Sequence, residues 1–436
     1  MKKTSRSLPL SLKVLFFVAV IIVCGVFFGE QANVGRLNNA RSEEISTLKN
    51  TGGIQYGSSA QGSLAQSENT AQFASAQGSF AQWNFAPANS SDSVSVIMVG
   101  DILLHDRVLE NCLTDDGSYS FSSIFAGTKS VVASADIALV NQEVIIGGKE
   151  LGLSGYPRFN APYEIADTLV DAGFNVICHA TNHALDKGKD GILNCLTYWE
   201  NHHPDVSVIG LYKTKERSEE IFVYEQNGMK IAVLNYTLHT NWLPPPKDMK
   251  YAVNLLDEDK VRSDLEKAQS LADFIIVCPH WGVEYSHEIS ETQREWCKIF
   301  MEYGVGLVLG THPHVIQPIE MMTDEATGKQ MLVYFSLGNF VNWTRNTGTN
   351  CASQFVGGMA DVRLAKAADG SVFIADYTVR PTVCHVTEQK KGITVYFLSA
   401  YSKAKAAANA IKKQDSSFSY EYCTALAKRI WPQFVE

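Results

Sequence analysis

A regular alternation of strand and helix patterns begins at Val94 and constrains the fold of this chain more than any other feature. Short apolar runs such as SVSVIMVGD, FNVICHAT and FIIVCPHWG have the length of buried strands. Segments such as PYEIADTLVDAGF repeat apolar residues at i, i+3, i+4 and i+7, as amphipathic helices do. This alternation predicts a layered α/β domain. Consecutive strand patterns in the middle, and a hairpin pattern in VGGMADVRLA and SVFIADYTVRP, indicate a mixed sheet or two sheets.

The composition limits the classes of partner. The chain has 436 residues, of which 45% are hydrophobic, so it can bury a sizeable core in one large domain or two ordinary ones. Its formal net charge is -9, and no basic tract stands out beyond the N-terminus. Nucleic acid is therefore excluded as an expected partner.

The N-terminus predicts an attachment to the membrane. Four basic residues, ending with Lys13, precede the apolar run VLFFVAVIIVCGVFFG from Val14 to Gly29. A cleaved secretory signal and an uncleaved anchor both fit, and the absence of an obvious small-x-small cleavage site favours the anchor. We expect residues 1–30 to be a cytoplasmic basic flank and a transmembrane helix. The positive-inside rule then predicts a single-pass protein of the cell membrane, with everything after the anchor extracellular.

Composition divides the rest of the chain. Residues 31–92 are rich in Ser, Gly, Ala, Gln and Asn and poor in aliphatic clusters, which predicts a disordered stalk. Residues 93–385 contain the strand and helix patterns of the folded domain, and residues 386–436 are predicted to form a helical tail.

The cysteines allow disulfides without requiring them. Cys24 lies in the apolar run, and the other eight would be extracellular, where disulfides form. Cys351 and Cys384 lie in looser segments and are the pair that we expect to be bridged. Four cysteines in apolar patterns are interpreted as small buried hydrophobes: Cys178, Cys195, Cys278 and Cys297.

Polar residues with metal-ligand chemistry follow five of the predicted strands. In open α/β sheets, ligands bind outside the carboxyl ends of the strands, so we expect these residues to converge on one rim. Carboxylates mixed with imidazoles suit Mn, Fe or Zn, and the number of ligands suffices for two ions. The residues are Asp101, Asn141 with Glu143, Asn182 with His183, His280, and His312 with His314.

Each of these residues also has an ordinary structural interpretation. A lone Asp at a strand end is more often a helix N-cap, and a lone buried His more often satisfies a core hydrogen bond. His105, His179 and His239 are interpreted in that way. The recurrence of ligand-type residues at successive strand ends, rather than any single residue, predicts the site.

Six separated motifs resemble one known family. GDILLH, NQE, ATNHALDKG, HWGVEY, GTHPHVIQP and YFSLGNF resemble, in order, the motif series of the CapA/PgsA poly-γ-glutamate capsule-synthesis family. The resemblance covers roughly residues 93–381. That family is similar to the calcineurin-like metallophosphoesterases, which implies a β-sandwich flanked by helices.

The resemblance also implies a role for each site residue. Asp101 and His314 would ligate a first metal, and Glu143 would bridge two metals. Asn182, His280 and His312 would ligate the second. His183 would be the proton donor or contact a phosphate, with Asp186 orienting it. The phosphoesterases usually have Asp-x-His in the first motif, where this chain has Leu103, and an Asp in place of Glu143. One or two divalent ions (Mn, Fe or Zn) are therefore expected per chain.

The sequence is compatible with three functions. The first is a membrane-anchored extracellular metal-dependent hydrolase or transferase that makes or processes an anionic cell-surface polymer, poly-γ-glutamate or similar. The second is a non-catalytic, polymer-binding subunit of a capsule synthesis and export complex. The third is a metallophosphoesterase with a small substrate.

Overall fold

Two sheets with helices around them make up the part of the chain that a computed structural model describes, residues 93–348 and 350–435. The predicted anchor and stalk, residues 1–92, lie outside the described residues. Among the helices of the described residues, none combines the length and the apolar character that crossing a membrane requires.

The bounds of the elements are as follows. The strands are β1 Ser93–Ile102, β2 Ile137–Asn141, β3 Val176–Cys178, β4 Ser207–Ile209, β5 Phe222–Gln226, β6 Met229–Thr237, β7 Phe274–His280, β8 Leu307–Leu309, β9 Ile319–Thr323, β10 Gln330–Tyr334, β11 Asn339–Val341, β12 Val356–Lys366, β13 Val372–Val386 and β14 Ile393–Phe397. The α-helices are α1 Asp106–Cys112, α2 Ser122–Phe125, α3 Lys129–Val132, α4 Glu164–Ala172, α5 Gly188–His202, α6 Lys215–Ser218, α7 Glu258–Leu271, α8 Glu291–Glu302, α9 Lys403–Ala408 and α10 Tyr420–Ile430.

The strand order groups the parallel strands side by side in each sheet. The first sheet runs β14-β13-β12-β1-β2-β3-β4, and β11 pairs with the end of β1. Strands β1 to β4 are parallel, whereas β12, β13 and β14 are antiparallel. The second sheet runs β5-β6-β7-β8-β10-β9, with β6, β7, β8 and β10 parallel and the two edge strands antiparallel. Parallel strands end at the same edge, so each sheet collects its strand ends on one side.

The central strands of the second sheet are buried on both faces, which explains their continuous apolar runs. Successive side chains of a strand point to opposite faces. Ile276 of β7 belongs to the large core that the two sheets share, while its neighbours Ile275 and Val277 belong to a second core. Leu265 of α7 and Phe300 of α8 complete that second core. The two sheets thus share one core, and helices cover the outer face of the second sheet.

Most sequence-based elements are confirmed. The amphipathic segment PYEIADTLVDAGF contains helix α4, and the predicted hairpin is the antiparallel pair β12 and β13. Helix α1 begins at Asp106, four residues after β1 ends at Ile102. The predicted helical tail, residues 386–436, contains α9 and α10 and, in addition, strand β14.

The expected disulfide is wrong. Cys351 and Cys384 are both free and buried, as are the other cysteines of the described residues. The Cys384 thiol donates a hydrogen bond to the Asn342 carbonyl at 3.6 Å. Both residues therefore act as small buried side chains, which is the interpretation that the sequence favoured only for the earlier cysteines.

Candidate metal centre

The carboxyl ends of the two sheets meet around buried polar side chains. Asp101 lies at the end of β1, Asn141 ends β2 and His280 ends β7, and all three are buried. The Asn141 amide donates to the Asp101 carboxylate at 2.8 Å and lies 3.3 Å from His280 Nδ1. The Asn141 amide thus links Asp101 and His280, which are 179 positions apart in sequence, as the convergence of the strand ends predicts.

The loop after β8, GTHPHV, carries two histidines in a strained conformation. His312 has φ 98° and His314 has φ 60°, both in the left-handed region that side chains with a Cβ rarely adopt. A non-glycine residue in that region costs about 1–3 kcal/mol and persists only where its surroundings hold it. Such strain clusters at functional sites. The loop therefore places its two imidazoles at an energetic cost, toward the strand ends of both sheets.

One half of the cluster, the carboxylate half, consists of Asp101, Glu143 and His314. One ligand atom from each residue lies within 4.8 Å of the others, and all three residues are buried, so the group could hold a metal ion. His314 Nδ1 lies 3.2 Å from Asp101 Oδ2, and His314 Nε2 lies 3.7 Å from Glu143 Oε1.

Glu143 is the least satisfied member of this half. Both of its carboxylate oxygens are buried without a hydrogen-bond partner among the described residues. Burial, opposed by the charge of His314, raises the pKa of Glu143 well above its usual range, and the Asp101 carboxylate raises it further. A buried carboxylate without partners is costly, and a divalent cation between these side chains would compensate it.

The pKa of His314 is raised as well, although burial acts on it in the opposite direction. Burial lowers its pKa, but the carboxylates of Glu143 and Asp101 outweigh burial and raise the pKa of His314 from 6.5 to about 10. At neutral pH a proton on this imidazole therefore supplies positive charge to the carboxylate half. A metal ion would supply the same charge in its place.

The other half, the imidazole half, consists of Asn182, His280 and His312. His280 Nε2 lies 2.9 Å from Asn182 Oδ1 and 3.1 Å from His312 Nδ1. The same nitrogen lies 3.9 Å from Glu143 Oε1, so Glu143 faces both halves. The three predicted ligands of a second metal are therefore brought together, with the predicted bridging carboxylate beside them.

The histidines of the imidazole half are neutral at neutral pH. Burial, the largest cause, lowers the pKa of His280 and of His312 well below 6.5, and the neighbouring histidines lower both further. Neutral imidazole is the form that ligates metal ions. The two halves thus differ in charge although they share Glu143.

His183 and Asp186 form a buried pair beside the cluster. His183 Nδ1 lies 2.6 Å from Asp186 Oδ2, which also accepts the Phe159 backbone N–H at 2.7 Å. The edge of the Phe159 ring packs on His183 with the ring centroids 4.6 Å apart. Asn241 lies 3.4 Å from both Asn182 and His183. The contact predicted between His183 and Asp186 is present, and Asn241 joins the pair to the imidazole half.

Four residues of this region had no assigned role in the sequence. The motifs contain Asn141 and Asn339 without assigning either a ligand role, and the sequence gives His105 and His239 a structural interpretation. The rings of His239 and His312 meet edge to face at 5.3 Å, and those of His105 and Phe159 at 5.0 Å. Burial lowers the pKa of His105 to about 3. The signal that could have found them is position. Asn141 ends β2 and Asn339 begins β11, and the two histidines lie on the loops that follow β1 and β6.

Leu103 occupies the third position of the motif that begins at Asp101. Its side chain is buried in the large core. No ligand atom therefore comes from this position, and the carboxylate half has one imidazole, His314.

Sequence comparisons agree with the motif series. The profile of a family described as "Bacterial capsule synthesis protein PGA_cap" matches residues 95–344. "PGA biosynthesis protein CapA" of Bacillus subtilis (strain 168) is 28% identical over 263 residues, which cover 58% of this chain and 65% of the relative. "Capsule biosynthesis protein CapA" of Bacillus anthracis is 27% identical over 271 residues, which cover 58% of this chain and 61% of the relative. The chain thus spans less than two thirds of the length of either relative.

A solved structure shows a weaker likeness. The NAD nucleotidase NadN of Haemophilus influenzae superposes with a TM-score of 0.41 and 14% identity, over 67% of this chain and 58% of that one. A similarity of this size carries no functional argument.

The fold and site define a layered α/β protein whose strand ends enclose a buried carboxylate and histidine cluster suited to a divalent metal ion. The matched profile covers more than half of the chain. The chain belongs to the bacterial capsule synthesis family PGA_cap, which confirms the resemblance to CapA seen in its motifs.

Proposed function

We propose that this protein is a membrane-anchored, extracellular, metal-dependent hydrolase or transferase that makes or processes an anionic capsule polymer, poly-γ-glutamate or similar. The observation that carries the metal-dependent part is Glu143, whose two buried oxygens lack partners while facing histidines on both sides. Membership of a capsule synthesis family supports the proposal that a capsule polymer is what the protein makes or processes. The location rests on the basic and apolar N-terminus, and subunits of a capsule synthesis complex are proposed partners.

The donor set fits Mn, Fe or Zn, because carboxylates and imidazoles are ligands that these ions accept. Asp101, Glu143 and His314 would hold one ion. Asn182, His280 and His312 would hold a second, with Glu143 shared between them. Bound divalent ions would stabilise negative charge that develops on a carbonyl or phosphoryl oxygen of the substrate.

His183 is the proposed proton donor to the leaving group. Asp186 accepts from one ring nitrogen, His183 Nδ1, and fixes the ring orientation, which leaves Nε2 to face the substrate. Replacing His183 by Ala should lower turnover about 10²- to 10⁴-fold, the usual contribution of a general acid, without loss of metal. Assays with p-nitrophenyl phosphate and with γ-glutamyl p-nitroanilide would measure this. A fully active His183→Ala chain would remove the acid role.

The direct test of the metal centre is the metal content of the full chain, purified without chelator and measured by plasma mass spectrometry. About two ions per chain would support a dinuclear hydrolase, and about one would confine binding to one half. His280→Ala and His312→Ala should each lose metal while the domain stays folded. His385→Ala is the matched control, because His385 bonds to Tyr401 and touches none of the ligands. Full metal content in both site variants would refute the assignment.

A non-catalytic polymer-binding subunit is the second candidate. Leu103 favours it, because the carboxylate half lacks the second histidine that phosphoesterases of this type usually have. A chain that holds no metal after addition of Mn or Zn, and still binds poly-γ-glutamate, would establish this alternative. Metal-dependent turnover of p-nitrophenyl phosphate without any effect on γ-glutamyl substrates would instead indicate a small-substrate phosphoesterase.

A further inference from the structure

Asn339 is placed directly against the carboxylate half by the pairing of two strands. It is the first residue of β11, which pairs in parallel with the end of β1 so that Asn339 lies opposite Asp101. The Asp101 N–H donates to the Gly338 carbonyl at 3.0 Å, which fixes this register. The Asn339 side chain is buried. Its position is therefore determined by the same strand that supplies Asp101.

The orientation of the Asn339 amide follows from its partners. Its Nδ2 donates to two backbone carbonyls, those of His314 at 3.2 Å and Gln354 at 3.1 Å. Carbonyl oxygens only accept, so the amide nitrogen must be on that side. The amide oxygen then lies on the other side, 3.0 Å from His314 Nδ1.

This orientation decides which nitrogen of His314 carries a proton in the neutral ring. Asn339 Oδ1 can only accept, so His314 Nδ1 must donate. Asp101 Oδ2, 3.2 Å from the same nitrogen, is an acceptor too and requires the same assignment. However, Asp101 is itself a proposed ligand and also lies 3.4 Å from the His312 N–H. Asn339 is not among the proposed ligands, so in the proposed centre its oxygen stays available to His314 Nδ1.

We propose that Asn339 is a positioning residue that keeps the His314 proton on Nδ1 and so presents Nε2 to Glu143 as the metal-ligating atom. This inference rests on the proposed metal centre. A metal-ligating histidine usually donates its other ring N–H to an acceptor that fixes its orientation. Asn339 provides this contact to His314 and also donates a hydrogen bond to the His314 carbonyl.

The second contact matters because His314 is strained. Its left-handed backbone, with φ 60°, needs surrounding groups to hold it. The Asn339 amide bonds to the His314 carbonyl at one end and to the imidazole at the other. A single side chain thus links the backbone conformation of His314 to the direction of its ring.

The test compares metal affinity in full-length variants by calorimetric titration with Mn²⁺ and by Co²⁺ absorption spectra. Asn339→Ala should weaken the binding of one ion about 10- to 100-fold, the usual effect of losing such a partner, and change the Co²⁺ spectrum. Asn339→Asp keeps an oxygen acceptor for Nδ1 but loses the donor to the His314 carbonyl, so it should lose less affinity than Asn339→Ala. Asn342→Ala is the matched control, since Asn342 is a fully buried amide three residues along that contacts Gln354 and no histidine.

Several results would overturn the role of Asn339. These are unchanged affinity in Asn339→Ala, an equal loss in Asn342→Ala, or a loss in Asn339→Asp as large as that in Asn339→Ala. Thermal unfolding of the metal-free variants shows whether each one folds. If the wild-type chain itself binds no divalent ion, the proposed metal centre fails. If the wild-type chain binds metal and the Asn339→Ala chain binds it equally well, only the role of Asn339 fails.

Discussion

The two halves of the candidate centre share Glu143, but their surroundings shift the pKa values of their histidines in opposite directions. In the carboxylate half, two buried acids raise the pKa of His314 to about 10, although burial alone would lower it. In the imidazole half, burial and neighbouring histidines lower the pKa of His280 and His312. The first half therefore holds a proton where a cation would bind, whereas the second presents neutral ligands.

This difference indicates how an ion would enter each half. Binding in the carboxylate half must displace the Nε2 proton of the His314 imidazolium, which keeps its Nδ1 proton, so it exchanges one positive charge for another. Binding in the imidazole half displaces no proton from His280 or His312 at neutral pH. The shared carboxylate couples the two events, because Glu143 lies within 4 Å of a histidine nitrogen in each half.

Glu143→Gln should have the largest effect, because it removes the one carboxylate that both halves face. We expect the binding of both ions to be lost. In the metal-free protein this change removes an unpartnered buried carboxylate, but it also removes the main charge that raises the pKa of His314, so we expect a small net change in stability. Metal titration and thermal melts with and without chelator measure the two effects. Glu320→Gln, which removes a partly exposed acid paired with Arg294, is the control. Loss of only one ion would show that the halves are independent.

The pH dependence of the metal-free protein should separate the two halves. His314 has a raised pKa, so its stabilising contribution is complete below 6.5 and is lost as the pH rises through about 10. Glu143, also raised, adds to the loss with rising pH. The lowered pKa of His280 acts in the other direction, because stability is lost as the pH falls below 6.5.

We therefore expect an alkaline loss from the carboxylate half and an acid loss from the imidazole half. The alkaline limb has a slope of at most about 1.4 kcal/mol per pH unit for each proton. Denaturant unfolding in chelator from pH 5 to 10 measures both limbs, and saturation with metal should flatten the alkaline one. An alkaline limb that persists unchanged in His314→Gln would contradict its origin in His314.

Trp242→Ala should have the smallest effect. Trp242 follows Asn241 in the loop beside the imidazole half, but its side chain is 96% exposed. Removing it should change the free energy of unfolding by no more than about 0.5 kcal/mol, as for other exposed positions. Its left-handed φ of 61° is the one source of strain, and Ala keeps a Cβ there. Denaturant unfolding checks this, and a loss of several kcal/mol would show that the loop supports the imidazole half.

Much of the fold could be predicted because its signals are local. Strand and helix periodicities are set by neighbouring residues, and the β12 and β13 hairpin and helix α4 both lie where the patterns predict them. The cysteines were harder, since a looser sequence pattern around Cys351 and Cys384 does not show that both are buried and unpaired.

The candidate site was predicted as a set of residues, and the structure supplies their arrangement. The topology rule for strand ends brings Asp101, Asn182 and His280 together correctly. It does not show that Asn339 contacts His314, because that contact depends on β11 pairing with the end of β1 rather than with β10. Nor does it show that His239 packs against His312, which depends on the path of the loop after β6.

By itself, the sequence determined the layered α/β class, the family and the chemical types of the site residues. Each of these depends on local patterns and short motifs. Only the tertiary structure decided which acid remains without a partner, which histidine is charged and which amide holds His314. The physical reason is that pKa values and hydrogen-bond roles depend on burial and on neighbours from distant strands. Those neighbours are set by strand order and register, which no single segment of the sequence contains.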